Sequence, residues 1–243
     1  SMLDEEVVEK LAKYEVFIIL SIDGATKEIH EEIRGKGSWD FILPAVERMR
    51  RLGLRFSTVM AVNKLNYQEI PEYIALAQRL GALAACIIPV MPAGRANMEL
   101  ILKPEQMLWV LQAADQAAEA LKFLVSLWCT PFARLVTKSR YILAEFCRNE
   151  LGEMDIAPQG DVLLCDILDI TLSNVKQRGL LGAWKEQEEH PVMKAITNPE
   201  LAKPCLDCPL RRKCKGGCFA RAELINGDLY APDPLCPRVA KIL

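Results

Sequence analysis

The chain has 243 residues, 51% of them hydrophobic and 26% charged, with a formal net charge of −2. A balance this near neutral gives no electrostatic case for a nucleic-acid partner or an anionic membrane surface, and no apolar run reaches membrane-spanning length. The length allows one large or two modest domains, the composition is that of an ordinary cytoplasmic globular protein, and Ser1-Met2 reads as a tag remnant before a start methionine.

Residues 1–15 look helical and charged. Val16–Ser21 is an apolar, strand-like run that ends in Ser21-Ile22-Asp23-Gly24. Ser38 can cap a helix from about Trp39 to Leu52, with Gly53 where a C-terminal cap belongs. A second strand is expected over Leu54–Val62, a helix over Tyr67–Leu80 closed by Gly81, and a third strand over Leu83–Val90. Pro104–Lys122 reads as a long helix with Met107, Leu108, Leu111 and Ala114 on its apolar face. Phe123–Trp128 reads as a further strand. Such alternation predicts α/β architecture, a parallel sheet with helices packed outside it.

Parallel α/β proteins keep their chemistry at strand ends. Ser21 can donate a hydrogen bond, Gly24 lets the chain turn, and a following helix can offer free N–H groups to an anion. Arg34 has the planar fork that matches a carboxylate with two parallel hydrogen bonds. The plainer readings are an ordinary Asp-Gly turn and a surface arginine. The next strands end at Ala61-Val62-Asn63 and at Pro89-Val90-Met91-Pro92. His30 and His190, the two histidines, read as surface or helix-end residues rather than catalytic bases.

Seven of the nine cysteines lie from Cys147 onward. Twelve residues, Gly160 and four more residues separate Cys147 from Cys165. Cys205, Cys208, Cys214 and Cys218 follow with two, five and three residues between them, and seventeen more separate Cys218 from Cys236. Thiolates spaced so closely suit iron–sulfur clusters, in which each iron takes a sulfur ligand. A disulfide framework fits poorly, because it belongs to small secreted chains with even cysteine counts. Structural zinc remains open at Cys205-Leu-Asp-Cys208, which has the spacing of a zinc knuckle. Cys86 and Cys129 read as small buried hydrophobes.

The full cysteine pattern resembles the SPASM domain of radical S-adenosylmethionine (SAM) enzymes. Residues 157–162, the Lys215-Gly216-Gly217-Cys218 segment and the Ala231–Cys236 tail are similar to that family's hairpin turn, its Gly-Gly-Cys segment and the tail of members that modify peptides or tetrapyrroles. The resemblance implies two [4Fe–4S] clusters. Cys205, Cys208, Cys214 and Cys236 would hold one, and Cys147, Cys165 and Cys218 the other. One iron would then lack a cysteine, since Glu153 stands where some relatives have an eighth. A carboxylate, a water or the substrate could complete it.

Residues 16–97 resemble the fourth to sixth strands of the radical SAM barrel. By that resemblance Ser21, Asp23, Gly24, Arg34, Asn63 and Val90 would contact SAM, with Arg34 pairing its carboxylate. The family's Cys-x3-Cys-x2-Cys triad is not in this sequence. The expected architecture is therefore a partial (β/α) barrel over 1–122, a bridging region over 123–146 and a SPASM domain with a β-hairpin over 147–243. The chain would be the C-terminal part of a maturase-type enzyme, unable by itself to cleave SAM. The whole enzyme would abstract hydrogen from a peptide or tetrapyrrole by way of a 5′-deoxyadenosyl radical. The clusters would bind substrate or pass electrons, with ferredoxin or flavodoxin as redox partner. The open barrel edge would favour self-association. The competing reading is a non-catalytic iron–sulfur electron-transfer or partner-binding module, and a weaker one is a zinc-stabilised structural domain.

Overall fold

The computed structural model describes residues 3–144 and 152–243. The chain divides into two compact units: residues 1–90, 99–128 and 136–144 form one, and residues 91–98, 129–135 and 145–243 the other.

The first unit is a five-stranded parallel sheet in sequential order, β1 (Ile18–Ser21), β2 (Phe56–Val62), β3 (Ala85–Pro89), β4 (Val125–Leu127) and β5 (Ile142–Ala144). Helices α1 (Glu5–Lys13), α2 (Lys27–Arg34), α3 (Ile42–Arg51), α4 (Ile70–Arg79) and α5 (Pro104–Leu121) precede or connect the strands. Both faces of β2 and β3 are covered, so burial does not alternate along either strand, and even Ser57 and Thr58 of β2 are buried. In α5 the buried stripe is Met107, Val110, Leu111, Ala114 and Ala118; Leu108 is only half-buried. Cys86 is a buried member of β3, as expected. Tyr73 on α4 is fully buried because its hydroxyl bonds the Cys86 carbonyl at 2.9 Å and Thr58 Oγ1 at 3.0 Å.

Two expectations need correction. Ser38 does not cap a helix. Its backbone is already helical (φ −66°, ψ −32°), its hydroxyl donates back to the Gly35 carbonyl at 2.6 Å, and a short 3-10 turn over Trp39–Phe41 leads into α3. Leu83 is exposed, and the third strand begins at Ala85.

The second unit contains a three-stranded antiparallel sheet, β6 (Asp155–Ile156), β7 (Asp161–Cys165) and β8 (Leu168–Asn174). Asn174 caps α6 (Val175–Glu189) by accepting from Lys176 N at 2.9 Å, and the helix is interrupted at Gly179. Then follow α7 (Pro191–Thr197), α8 (Arg211–Cys214) and α9 (Phe219–Asn226). The core is Val162, Leu164, Leu168 and Leu172 from the hairpin packed with Ala183, Met193 and Ala220 from the helices. Among the described residues no helix is long and apolar enough to cross a membrane.

Candidate functional site

At the carboxyl ends of β1 and β2, Asp23 ties the backbone together. It is almost fully buried. Its carboxylate accepts the Ala61 N–H at 2.7 Å through Oδ1 and the Arg34 Nε–H at 2.6 Å through Oδ2. Its carbonyl accepts from Asn66 Nδ2 at 2.9 Å, and its N–H donates to His30 Nδ1 at 3.1 Å. The first turn of α2 comes so close to Gly24 that a Cβ there would sit 2.5 Å from His30 N. Thr26 caps α2, and Glu69 holds this entry through the Ala25 N–H at 2.7 Å and the Thr26 hydroxyl at 2.9 Å.

Asp23, Gly24, Arg34 and Asn63 thus fall in one network. Asn63 is committed to its own turn, accepting from Leu65 N at 2.9 Å and donating to the Ala61 carbonyl at 3.0 Å. Val90 lies beside that turn, its N–H bonded to the Val62 carbonyl at 2.9 Å. Ser21 is the last residue of β1, in register with Val59. Asp23 engages only Nε of Arg34, so both terminal nitrogens of this partly exposed guanidinium can still grip a carboxylate.

His30 is not a surface residue. It is buried on α2 against Trp39, with ring centroids 5.5 Å apart, and serves as acceptor for the Asp23 N–H. Burial lowers its pKa from the ordinary 6.5 despite the nearby Asp23 charge. The unfolded chain therefore takes up a proton at a pH where the folded chain does not. Stability is full above about pH 6.5 and falls as pH drops below it. Denaturant titrations across that window should show this loss in the natural sequence and much less of it in His30→Gln. Equal losses in both would show that another group titrates.

In the second unit, Cys205, Cys208, Cys214 and Cys236 line one recess with Phe132, Leu135 and Val239. Local turns place them. Cys208 N bonds the Cys205 carbonyl at 3.1 Å, Cys214 N closes α8 onto the Leu210 carbonyl at 2.8 Å, and Lys215 in the left-handed region ends that helix. Burial pushes the Cys205 thiol up to about 11 and also raises Cys214 and Cys236. Arg211 and Arg238 also line this recess.

A second group forms around Cys218, the residue that precedes α9. Its thiol is hydrogen-bonded to Cys129, lies near the Arg221 guanidinium and accepts the Arg221 backbone N–H; the Cys129 bond above all lowers it to about 7. Cys165, at the end of β7, interacts electrostatically with Cys218, and burial pushes its thiol up to about 12. Cys147 lies outside the described residues. Among the described residues no three His, Cys, Asp or Glu side chains gather as ligands of one metal ion, and every cysteine is a thiol.

Between the two groups runs a buried ion pair that the sequence reading did not single out. Arg221 Nη1 donates to Asp233 Oδ2 at 2.6 Å, and both side chains are fully buried. Asp233 also accepts the Cys218 N–H at 2.9 Å and the Leu235 N–H at 3.0 Å, while Arg221 Nη2 donates to the Cys129 carbonyl at 2.8 Å. Arg221 Nε and Thr130 Oγ1 are buried without a hydrogen-bond partner. Thiols in two groups, with spare buried N–H and O–H groups beside one of them, are a donor set that fits sulfide-rich clusters.

Residues 1–77 match the radical SAM superfamily, and residues 147–209 match the SPASM iron–sulfur cluster-binding domain. The AdoMet-dependent heme synthase of Methanosarcina barkeri is 26% identical over 97% of this chain and 72% of its own length. The mycofactocin maturase MftC of Mycolicibacterium smegmatis is 27% identical over 95% of this chain and 60% of its own. The solved structure of native anSMEcpe with bound AdoMet superposes with a TM-score of 0.73 at 17% identity, covering 98% of this chain and 69% of that one. That likeness extends to the fold as a whole, a partial radical-SAM-type barrel followed by a SPASM domain. Both kinds of domain point to [4Fe–4S] clusters as cofactors. Part of the chain thus matches the radical SAM superfamily and part the SPASM iron–sulfur cluster-binding domain, and together the matches support its reading as a radical SAM/SPASM protein.

Proposed function

We propose that this chain supplies the auxiliary-cluster half of a radical SAM/SPASM enzyme that modifies a peptide or a tetrapyrrole. The observation that carries this is the convergence of Cys205, Cys208, Cys214 and Cys236 on one recess, beside a separate thiol group at Cys165 and Cys218. Each set would hold one [4Fe–4S] cluster, with Cys147 joining the second. Such clusters supply electron transfer and Lewis-acid binding when present. The protein's own part is to bury the thiolates, donate N–H groups to them and fix their spacing through α8, α9 and the Arg221–Asp233 pair.

At the strand ends, Arg34 would pair the carboxylate of SAM, held in place by Asp23. Ser21, Gly24, Asn63 and Val90 would complete the protein's share of that pocket. No Cys-x3-Cys-x2-Cys triad is present in these 243 residues, so this chain alone is not expected to cleave SAM. A small electron carrier such as ferredoxin or flavodoxin would reduce the clusters. We also propose self-association through the free side of β1, where Phe17 and Ile19 are more than 40% exposed and no described strand pairs.

Anaerobically reconstituted protein is expected to hold about eight irons and about eight acid-labile sulfides per chain. Zinc as the main metal, with no sulfide, would overturn the proposal. Light scattering of the same sample tests association, and a monomer at micromolar concentration would refute it.

A further inference from the structure

Between residues 203 and 215 stand five basic side chains, Lys203, Arg211, Arg212, Lys213 and Lys215, and one acidic one, Asp207. That stretch has a balance of +4 in a chain whose net charge is −2, so the other residues together carry −6. Arg211, Arg212 and Lys213 are consecutive on α8, and all three are exposed. Two guanidinium groups steady the Cys205–Cys208 loop: Arg211 Nη1 donates to the Leu206 carbonyl at 3.1 Å, and Arg238 Nη2 to the Asp207 carbonyl at 3.3 Å. The side chains of Arg212 and Lys213 form no ion pair among the described residues. Like charges crowded together without counter-ions raise the energy of the folded chain, and their gain comes from an anionic partner. An apolar groove adjoins them, where Lys213 and Lys215 stand with Ile196, Pro199, Leu229 and Tyr230. Tyr230 is 52% exposed and Leu206 46%. Cys214 and Gly216 border both this groove and the cysteine recess. Apolar and aromatic residues within a charged rim are the make-up of a protein-binding face.

We propose that this face of α8, with Leu206 and Tyr230 as its apolar contacts, is where a small acidic one-electron carrier protein docks to reduce the cluster of the recess set. The inference rests on the two-cluster reading above and deepens it by naming the docking face. Two features select such a carrier from among anionic partners. Cys214, a ligand of the recess set in that reading, ends the same four-residue helix, which is about 6 Å long. A protein seated on Arg212 and Lys213 is therefore one helical turn from a ligand. The arriving electron also adds a negative charge beside Arg211 and Arg238, which border the recess and favour the reduced form. The step balances: the carrier is oxidised by one electron, the cluster is reduced by one, no bond forms or breaks and no proton moves. Electron-transfer encounters are small and short-lived, so the basic rim serves to speed the encounter rather than to hold the complex.

The test uses the reconstituted full chain and, as carrier, a photoreduced plant-type [2Fe–2S] ferredoxin. Stopped-flow absorbance gives the rate of cluster reduction by the ferredoxin and, separately, by dithionite, which needs no docking face. Arg212→Glu with Lys213→Glu should slow reduction by ferredoxin at least about tenfold at low salt, while iron content and reduction by dithionite stay as in the natural protein. Lys185→Glu with Lys194→Glu makes the same change of charge at exposed positions of α6 and α7 and should slow it less than about twofold. Arg212→Gln with Lys213→Gln should slow it by about threefold and stands in if the reversal disturbs folding. In the natural protein the ferredoxin rate should fall steeply as salt is raised, and a rate indifferent to salt overturns the inference without any variant. Equal slowing by both Glu pairs overturns it too, because net charge alone would then explain the effect. A reversal that changes the mass in light scattering but not the ferredoxin rate would give the face to a second copy of this chain. If the natural protein is reduced by dithionite and the reversed variant matches it with ferredoxin, the two-cluster reading survives and the docking face is wrong. If the natural protein gains no cluster that dithionite reduces, the reading itself fails and this inference with it.

Discussion

Replacing Asp233 by alanine is expected to destabilise the SPASM unit by about 3–5 kcal/mol, the penalty for leaving a buried charge without its partner. Arg221 is fully buried and has its counter-ion at 2.6 Å. Without the carboxylate, the guanidinium must find another anion, drag water inward or leave. The N–H groups of Cys218 and Leu235 lose their acceptor at the same time. Gly217 adds a steric reason for the arrangement, since a Cβ there would overlap Asp233 Cβ. A domain typically has about 5–15 kcal/mol in total, so this loss approaches unfolding. Denaturant unfolding of the metal-free protein, read by near-ultraviolet circular dichroism, should show it. Cluster absorbance after reconstitution should fall as well, because the same network positions Cys218. A midpoint shift equivalent to less than about 1 kcal/mol would mean that Arg221 finds solvent, and that the pair does not hold the two cysteine groups in register.

Changing both partners separates charge from shape. Arg221→Met with Asp233→Leu removes the unpaired charge, and buried pairs replaced by apolar residues of similar size are often tolerated. The double variant should be more stable than Asp233→Ala yet still reconstitute poorly, because the Cys129 carbonyl and Cys218 N–H lose their partners.

Much of the sheet was legible because buried parallel strands are written as apolar runs. β3 is such a run and β2 is one but for Ser57 and Thr58; they are bounded by Gly53, Gly81 and the Asn63 turn, and each fell within a residue or two of its expected end. β5 was not foreseen. It has three residues, and its partner strand rather than its own pattern defines it. Ser38 misled because a serine before a helix has two options, and its hydroxyl took the nearby Gly35 carbonyl instead of the helix N–H groups.

The cysteine groups were legible through spacing, since short intervals force thiols together. The network that orients them was not. Arg221 and Asp233 are twelve residues apart, and nothing local marks a charged residue as buried. Cys129 meets Cys218 across 89 residues, a distance that only the folded unit closes. At the strand ends the motif Ser21–Gly24 was visible, but the acceptor role of His30 was hidden because its partner is a backbone N–H.

Removing thiols in pairs is expected to divide the iron in two. A single alanine in the four-cysteine set would leave three thiolates, enough to keep a cubane, so two ligands of one set are removed together. Cys205→Ala with Cys208→Ala removes half of the recess set, and Cys165→Ala with Cys218→Ala removes the two described members of the other. Each double variant should bind about half the iron and sulfide of the natural chain, because the ligand sets do not overlap. The remaining cluster should differ between the two, since Arg211 and Arg238 line the recess set while Arg221 and Asp233 sit beside Cys218. Redox titration of the two variants should therefore give two distinct potentials, which together reproduce the natural protein's titration. Only three residues separate Cys214 from Cys218, so loss of both clusters from either variant is the outcome to watch for. That result would mean that metal binding and folding of the unit form a single cooperative step. Iron content unchanged in both would end the ligand assignment.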